Sequence, residues 1–311
     1  MTRTAEAGSD RRTAWLRLRR LNPKHLIILL ITVILVVGEW RYSILGGYER
    51  LAAALGTCLA TEAVLSRLLR GRSGSLSSAY VSGISLSLLL KPQAALLWPF
   101  WLGGFLAIAS KYVIRYHDRH LWNPSNFAVG ALVILAPGSV AILSHQWGND
   151  LGTNAVIWGL GILIAGRARV LHVTVAYLVA YVSIAVLRGA ITGVPVLAEI
   201  APVTGPMYQL FIFFMITDPR TTVGTRRGRI AVAVLVAVVE GAIRLAGDAG
   251  LGWLTPLYYS PPILALFLVG PAAMWWDLRG RAAAAGAPPG ARDRSAEGGK
   301  PGSVAEGEPI G

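Results

Sequence analysis

The stretch FFMITDPRTTVGTRRGR, residues 213–229, runs from an apolar block into a proline-broken turn and then a basic cluster. An aspartate is costly in lipid, and a residue before proline is pushed out of the helical region, so a helix arriving here stops at Asp218. The apolar block that remains, residues 206–217, reaches only about 18 Å at 1.5 Å per residue, short of the ~30 Å hydrocarbon core of a bilayer. Behind the stop stand Arg220, Arg226, Arg227 and Arg229, residues of the kind that hold a loop on the cytoplasmic side. The segment reads as one half of a broken membrane helix.

The rest of the chain agrees with a membrane setting. Of 311 residues, 54% are hydrophobic and 14% charged, against roughly a quarter charged in soluble domains, and mean hydropathy is +0.55. Apolar blocks at 25–45, 48–67, 76–90, 94–113, 123–143, 151–166, 170–187, 206–217, 230–246 and 257–277 give an all-α integral membrane protein of about ten transmembrane helices. The formal charge of +13 could suit nucleic acid, but the basic residues lie between apolar blocks and no zinc spacing or RNP-like motif occurs. The expected surrounding is a lipid bilayer, with no nucleic acid.

With the N-terminus in the cytoplasm and ten alternating spans, most of the 29 Arg and Lys residues fall inside. Only Lys91 and Arg188 lie in outside loops, and Arg41, Arg50 and Arg244 lie in or beside spans. This bias places both termini in the cytoplasm. Residues 1–24 form a basic N-terminal segment, 25–277 the membrane domain, and the Ala/Gly/Pro-rich residues 278–311 a disordered cytoplasmic tail. The first apolar block lacks a small-x-small cleavage site and reads as a retained helix. The single cysteine, Cys58, lies in an apolar block and reads as a small buried hydrophobe.

Spans 76–90 and 206–217 are each third in a half of five. Paired short segments at matching places are the sequence sign of a five-plus-five inverted repeat whose broken helices meet near the midplane. A polar hollow between them is the expected site.

Two motifs carry candidate chemistry. In HDRHLWNPSNF, residues 117–127, Asn123 suits a helix N-cap and Pro124 the first helical position, with Ser125 and Asn126 in the first turn. Backbone N–H groups and the helix dipole favour an anion there, but a capped helix without a ligand has the same features. In the opening stretch, Thr217, Asp218, Pro219, Thr221 and Thr222 form a polar turn, Thr225 adds a hydroxyl, and the arginines could pair with phosphate. A positive-inside loop would look the same. Glu62 and Glu240 are intramembrane carboxylates and candidate ion or proton sites; Arg244, four residues after Glu240, can pair with it. Glu39 lies near the end of its span, close to Arg41, where snorkelling accounts for it. Only His172 of five histidines lies within a span, too few for bis-histidine haem, and no metal cluster is expected. No P-loop, dinucleotide-binding glycine pattern or hydrolase elbow is present.

In these two motifs the chain resembles the membrane subunit family shared by sodium-translocating NADH:quinone reductase and the Rnf electron-transport complex (NqrB/RnfD). That family's Asn-Pro-x-Asn is matched by Asn123, Pro124 and Asn126. Its Phe-Met-x-Thr-Asp-Pro-x-Thr is matched by Phe214, Met215, Thr217, Asp218, Pro219 and Thr221, and its following Gly-Arg by Gly228 and Arg229. VSGISLSLLLKP, residues 81–92, is similar to the family's short third helix, and the resemblance covers roughly residues 48–277. NPSNF with HQWGND, residues 145–150, is most similar to a stand-alone branch encoded in enediyne biosynthesis clusters. The family attaches FMN covalently, through phosphate, to a threonine in Ser-Gly-Ala-Thr. No such motif occurs here, and Thr153 has different neighbours. Covalent FMN is therefore not expected, while noncovalent FMN or riboflavin between helices is compatible with the resemblance. What the resemblance implies is a redox-linked or ion-coupled accessory of natural-product biosynthesis, working with membrane or soluble redox subunits or with biosynthetic enzymes. The competing readings are a transporter or exporter of a pathway product or ion, and a non-catalytic membrane scaffold. No self-contained catalytic constellation accompanies any of them.

Overall fold

The computed structural model describes residues 23–286 except 72, 93–95, 117–118, 138–139, 142–149 and 259. Each of the ten apolar blocks holds a helix. In the first half these are α1 (Pro23–Tyr42), α2 (Tyr48–Arg70), α3 (Leu76–Leu89), α4 (Trp98–Val113) and α5 (Pro124–Leu135). Next come α6 (Leu151–Arg167), α7 (Leu171–Thr192) and the short α8 (Val196–Ile200), which tightens into a 3₁₀ turn over Ala201–Thr204. Helix α9 (Pro206–Leu210) widens into a π-helical turn, Phe211–Met215. The chain continues through α10 (Arg226–Asp248), α11 (Thr255–Tyr258) and α12 (Pro261–Gly286). The strands are two-residue pieces: β1 (Lys91–Pro92) pairs with β4 (Val140–Ala141), and β2 (Arg115–Tyr116) with β3 (Arg119–His120), both antiparallel.

Ten spans is more than these helix lengths carry. Among the described residues, α2, α7, α10 and Pro261–Ala283 of α12 are each long and apolar enough to cross a membrane alone. Val196–Thr204 and Tyr208–Met215, bent by 71° at their break, make a fifth if they form one span. Helices α3 and α5 and residues Asn154–Arg167 of α6 are apolar but shorter. Proline accounts for two of these limits: Pro92 follows α3 and ends it, and Pro124 opens α5. At its other end, α12 continues past the expected boundary at residue 277 through Gly286, with an Asp277–Arg281 pair one turn apart at 2.6 Å. The rest of the anticipated tail and nearly all of the basic N-terminal segment lie outside the described residues.

The helices of the two halves pack in matching order. In the first, α3 lies against α1 and α2, α2 against α4, and α4 against α5; in the second, α9 lies against α6, α7 against α10, and α10 against α12. The α2–α4 and α7–α10 pairs are parallel, since Cys58 meets Gly104 while Glu62 meets Lys111, and Tyr177 meets Glu240 while Arg188 meets Asp248. The halves touch through equivalent members, α1 with α6 and α5 with α12. Close approach is built on glycine at the α2–α3 crossing. A Cβ on Gly83 would lie 2.8 Å from the Leu55 Cα, so the backbones meet there as small residues in membrane bundles permit.

Among the described residues, the two short third helices share an apolar cluster in place of the expected polar hollow. Ile84 and Leu88 of α3 and Leu210 of α9 belong to one apolar cluster with Ile31, Ile34 and Leu35 of α1 and Ile157 and Ile164 of α6. Apolar side chains of all four helices meet here, while buried Gln209 of α9 turns to Asn154 of α6, and Ser82 and Ser87 of α3 bond back to carbonyls of their own helix.

Candidate functional site

The two sequence motifs meet. Asn123 has extended backbone (φ −63°, ψ 127°) and caps α5, its Oδ1 accepting from Ser125 N at 3.1 Å and Asn126 N at 3.2 Å. Its Nδ2 is left over and donates to Asp218 Oδ2 at 3.0 Å. Asp218 stands where the sequence ends the helix, after a π turn closed by Ile216 N donating to Phe211 O at 3.0 Å. Its Oδ1 accepts from Arg220 N at 3.0 Å and its Oδ2 also accepts from Thr221 Oγ1 at 3.1 Å. Three donors on a half-buried carboxylate, one of them from the other half of the chain, make this a junction between the end of one helix and the capped start of another.

Neighbours reinforce it. Arg119 of β3 donates through Nη2 to Pro219 O at 3.1 Å and to Arg220 O at 2.9 Å. Wholly buried Asn126 donates to Ile263 O at 2.8 Å, with Met215 Sδ at 3.6 Å. Thr217 Oγ1 returns to Phe213 O at 2.5 Å, a local bond that satisfies a buried hydroxyl. Thr225 caps α10 by accepting from Gly228 N at 3.1 Å, and Arg229 Nε donates to Val223 O at 2.9 Å. Arg220, Arg226 and Arg227 are exposed.

Pro271 explains one contact the sequence did not announce. Lying inside α12, it has no N–H for the carbonyl of Phe267 four residues earlier. Trp122 Nε1 supplies the missing donor at 2.9 Å, and its ring packs near those of Phe127 and Phe267. A pocket of about 20 Å³ lies between this tryptophan, Asn123, Asn126, Thr221 and buried Thr222, with Val232 and Leu266 also in its lining. That is room for about one water, so neither FMN nor riboflavin fits it as it stands. Beside the junction, burial and then the charges of Arg115, Lys111, Arg220 and Arg70 hold the His120 imidazole down to about 4, so it is neutral at physiological pH.

The two intramembrane glutamates lie apart from the junction, one in each half, and both are already paired. Glu62 contacts Lys111 Nζ at 3.0 Å, and its Oε1 accepts from Tyr112 Oη at 3.0 Å and from Ser75 N, at the start of α3, at 3.0 Å. Glu240 accepts from Arg244 Nε at 3.1 Å and Nη2 at 3.0 Å, and from the hydroxyls of Tyr177 and Tyr208. A third buried pair, Arg188 with Glu199, was not read from the sequence. Arg188 binds Asp248 as well, at 3.0 and 2.9 Å. Glu199 lies in α8, a stretch with the look of a loop in the sequence, where no periodicity announced a helix. Glu39, near the end of α1, accepts from Leu45 N at 2.9 Å and so turns the chain toward α2. Among the described residues, no group of three His, Cys, Asp or Glu side chains stands close enough to hold a metal ion. The loop that would correspond to a flavin-attachment segment lies largely outside the described residues.

These features define the class: an all-α membrane protein with buried ion pairs and a polar junction between the end of one helix and the start of another. No protein-family model and no curated protein matches the chain.

Proposed function

We propose that the chain is a multi-pass component of a bacterial cytoplasmic membrane, built as an inverted repeat whose halves mix full spans with shorter apolar helices, with both termini cytoplasmic, and that it serves as a redox-linked or ion-coupled accessory of the NqrB/RnfD type. The observation that carries this reading is the Asn123–Asp218 bond. The two motifs on which the resemblance rests are 95 residues apart in sequence and form one junction in space. Matching packing in the two halves supports the repeat. Within this reading the stand-alone, UnbU-like branch is the nearest counterpart, which makes soluble enzymes or redox subunits of an actinomycete enediyne pathway the natural partners.

A second reading, a carrier for an ion or a pathway product, is favoured by one buried ion cluster in each half, at Glu62–Lys111 and Glu240–Arg244. A scaffold with no transport or redox role has no use for either the junction or the clusters. The deciding experiment is the visible spectrum of protein purified in mild detergent, followed by flux measurements in proteoliposomes. A yellow flavin absorption that leaves the protein on denaturation supports the redox reading. A colourless protein that moves an ion or product across liposomes supports the carrier. A colourless protein that moves neither refutes both.

A further inference from the structure

We infer that the cleft between α7, α8 and α10 is a water-filled inlet that brings the aqueous phase at one membrane face to the buried carboxylate of Glu240. It requires that α7 and α10 cross the bilayer, and it deepens the ion-coupled side of the proposed function by naming where a proton or small cation would enter.

Two ion clusters lie here within one protein wall. Glu240 and Arg244 make the inner one, and Arg188, Glu199 and Asp248 the outer. Between them is a pocket of about 10 Å³, bordered by Glu240, Arg244, Arg188, Glu199 and Tyr181, close to the smallest space that holds a water and lined by more than the two to four polar groups a buried water needs. Four of these groups are charged, and Glu240, Glu199 and Arg188 are each more than nine-tenths buried. Several ions packed without water in a low-dielectric interior carry a heavy desolvation penalty; water between the pairs relieves it. Tyr181 Oη already spans part of the gap by donating to Glu199 O at 2.8 Å.

The outer cluster opens to one face. Asp248 is the last residue of α10, and its side chain is 37% exposed. Because α10 begins just after the Asp218 turn, this is the face opposite the Asn123–Asp218 junction. Arg188 bridges Asp248 and Glu199, so charged and hydroxyl groups follow one another from the surface to Glu240. With Arg188 and Arg244 against Glu199, Glu240 and Asp248, the path carries one excess negative charge, a sign suited to protons and small cations.

The test uses the full chain with Cys58→Ser as background, since Cys58 is the single cysteine. Ala185→Cys and Ala237→Cys put a thiol on the pocket wall; Val182→Cys and Val238→Cys, at similar depth on exposed outer faces of the same helices, serve as controls. Silver ion, small enough for a water-sized path, is added to membranes from either side. Unreacted thiols are then counted with a fluorescent maleimide after denaturation. The expected result is blocking of both pocket thiols at least tenfold faster than the controls, and from the Asp248 side only. Equal rates at all four positions, or faster blocking from the junction side, would overturn the inlet. Two pocket positions guard against a single variant that misfolds. The readout is independent of electron transfer and transport, so it separates failure of the inlet from failure of the functional reading.

Discussion

Replacing Asn123 separates what one side chain does as a helix cap from what it does as a tie between the two halves. In Asn123→Ala both are lost. The cap, two bonds from the first turn of α5, is worth about 1 kcal/mol. The bond to Asp218 has a charged acceptor, a class worth about 1.5–3 kcal/mol. Because Asp218 is half-buried and keeps two other donors, the lower end, about 1.5 kcal/mol, applies. Asn123→Ala should therefore cost about 2.5 kcal/mol in all. Asn123→Ser keeps an oxygen for the cap but has no amide to reach Asp218, so its cost should be about 1.5 kcal/mol. Denaturant unfolding in a fixed detergent, followed by a helix signal, measures both. The decisive arm is the double-mutant cycle of Asn123→Ser with Asp218→Ala, which should show a coupling of at least about 0.5 kcal/mol, as touching residues do. Additive effects within error, with Asn123→Ser as stable as the parent, would refute the junction. Asn123→Ala and Asp218→Asn should also abolish cellular function while the protein still inserts in the membrane at normal levels.

Other substitutions probe features away from that bond. Trp122→Phe should cost about 1–3 kcal/mol by orphaning the Phe267 carbonyl, and much less in a Pro271→Ala background, where the restored N–H takes the same acceptor; equal costs in both backgrounds would show that the indole bond does not matter. Glu240→Leu should destabilise by about 1–3 kcal/mol, since it takes from Arg244, Tyr177 and Tyr208 the acceptor they share, and a loss within error in unfolding measurements would show that the carboxylate ties none of them. Gly83→Ala should cost about 1–3 kcal/mol, because the Leu55 backbone cannot move aside as a side chain would. The His120 imidazole titrates about 4 in the folded chain against 6.5 ordinarily. The unfolded chain therefore binds the proton first, and stability falls as pH drops from 6.5 towards 4 and is unaffected above that window. His120→Gln should flatten this part of the pH–stability curve.

Local chemistry was readable along the chain, and tertiary partnership was not. The cap at Asn123, the stop at Asp218 and the Glu240–Arg244 pair follow from neighbours within four residues, where spacing fixes geometry. The helix in every apolar block followed from hydropathy alone. Lengths were harder: the proline after α3 and the bend after Thr204 shorten elements that composition would extend. Lys111 reaches Glu62 across 49 positions of sequence and Arg188 reaches Asp248 across 60, distances over which no periodicity carries information. Glu199 was hidden because a five-residue helix gives too few turns for a pattern. The polar hollow failed for a physical reason: side chains of α1 and α6 share one apolar cluster with those of the two short helices, and the buried polar groups there, Ser82, Ser87 and Gln209, are satisfied by their own or a neighbouring helix.

The contacts between the halves carry a further consequence. Helix α1 lies on α6 and α5 on α12, so each first or last member meets its own counterpart. Like-to-like contact of this kind is the hallmark of a self-complementary interface between two identical subunits. A substitution on α1 or α5 that loosens one seam therefore leaves the other standing, and the Asn123–Asp218 bond ties the halves a third time, between residues that are not counterparts.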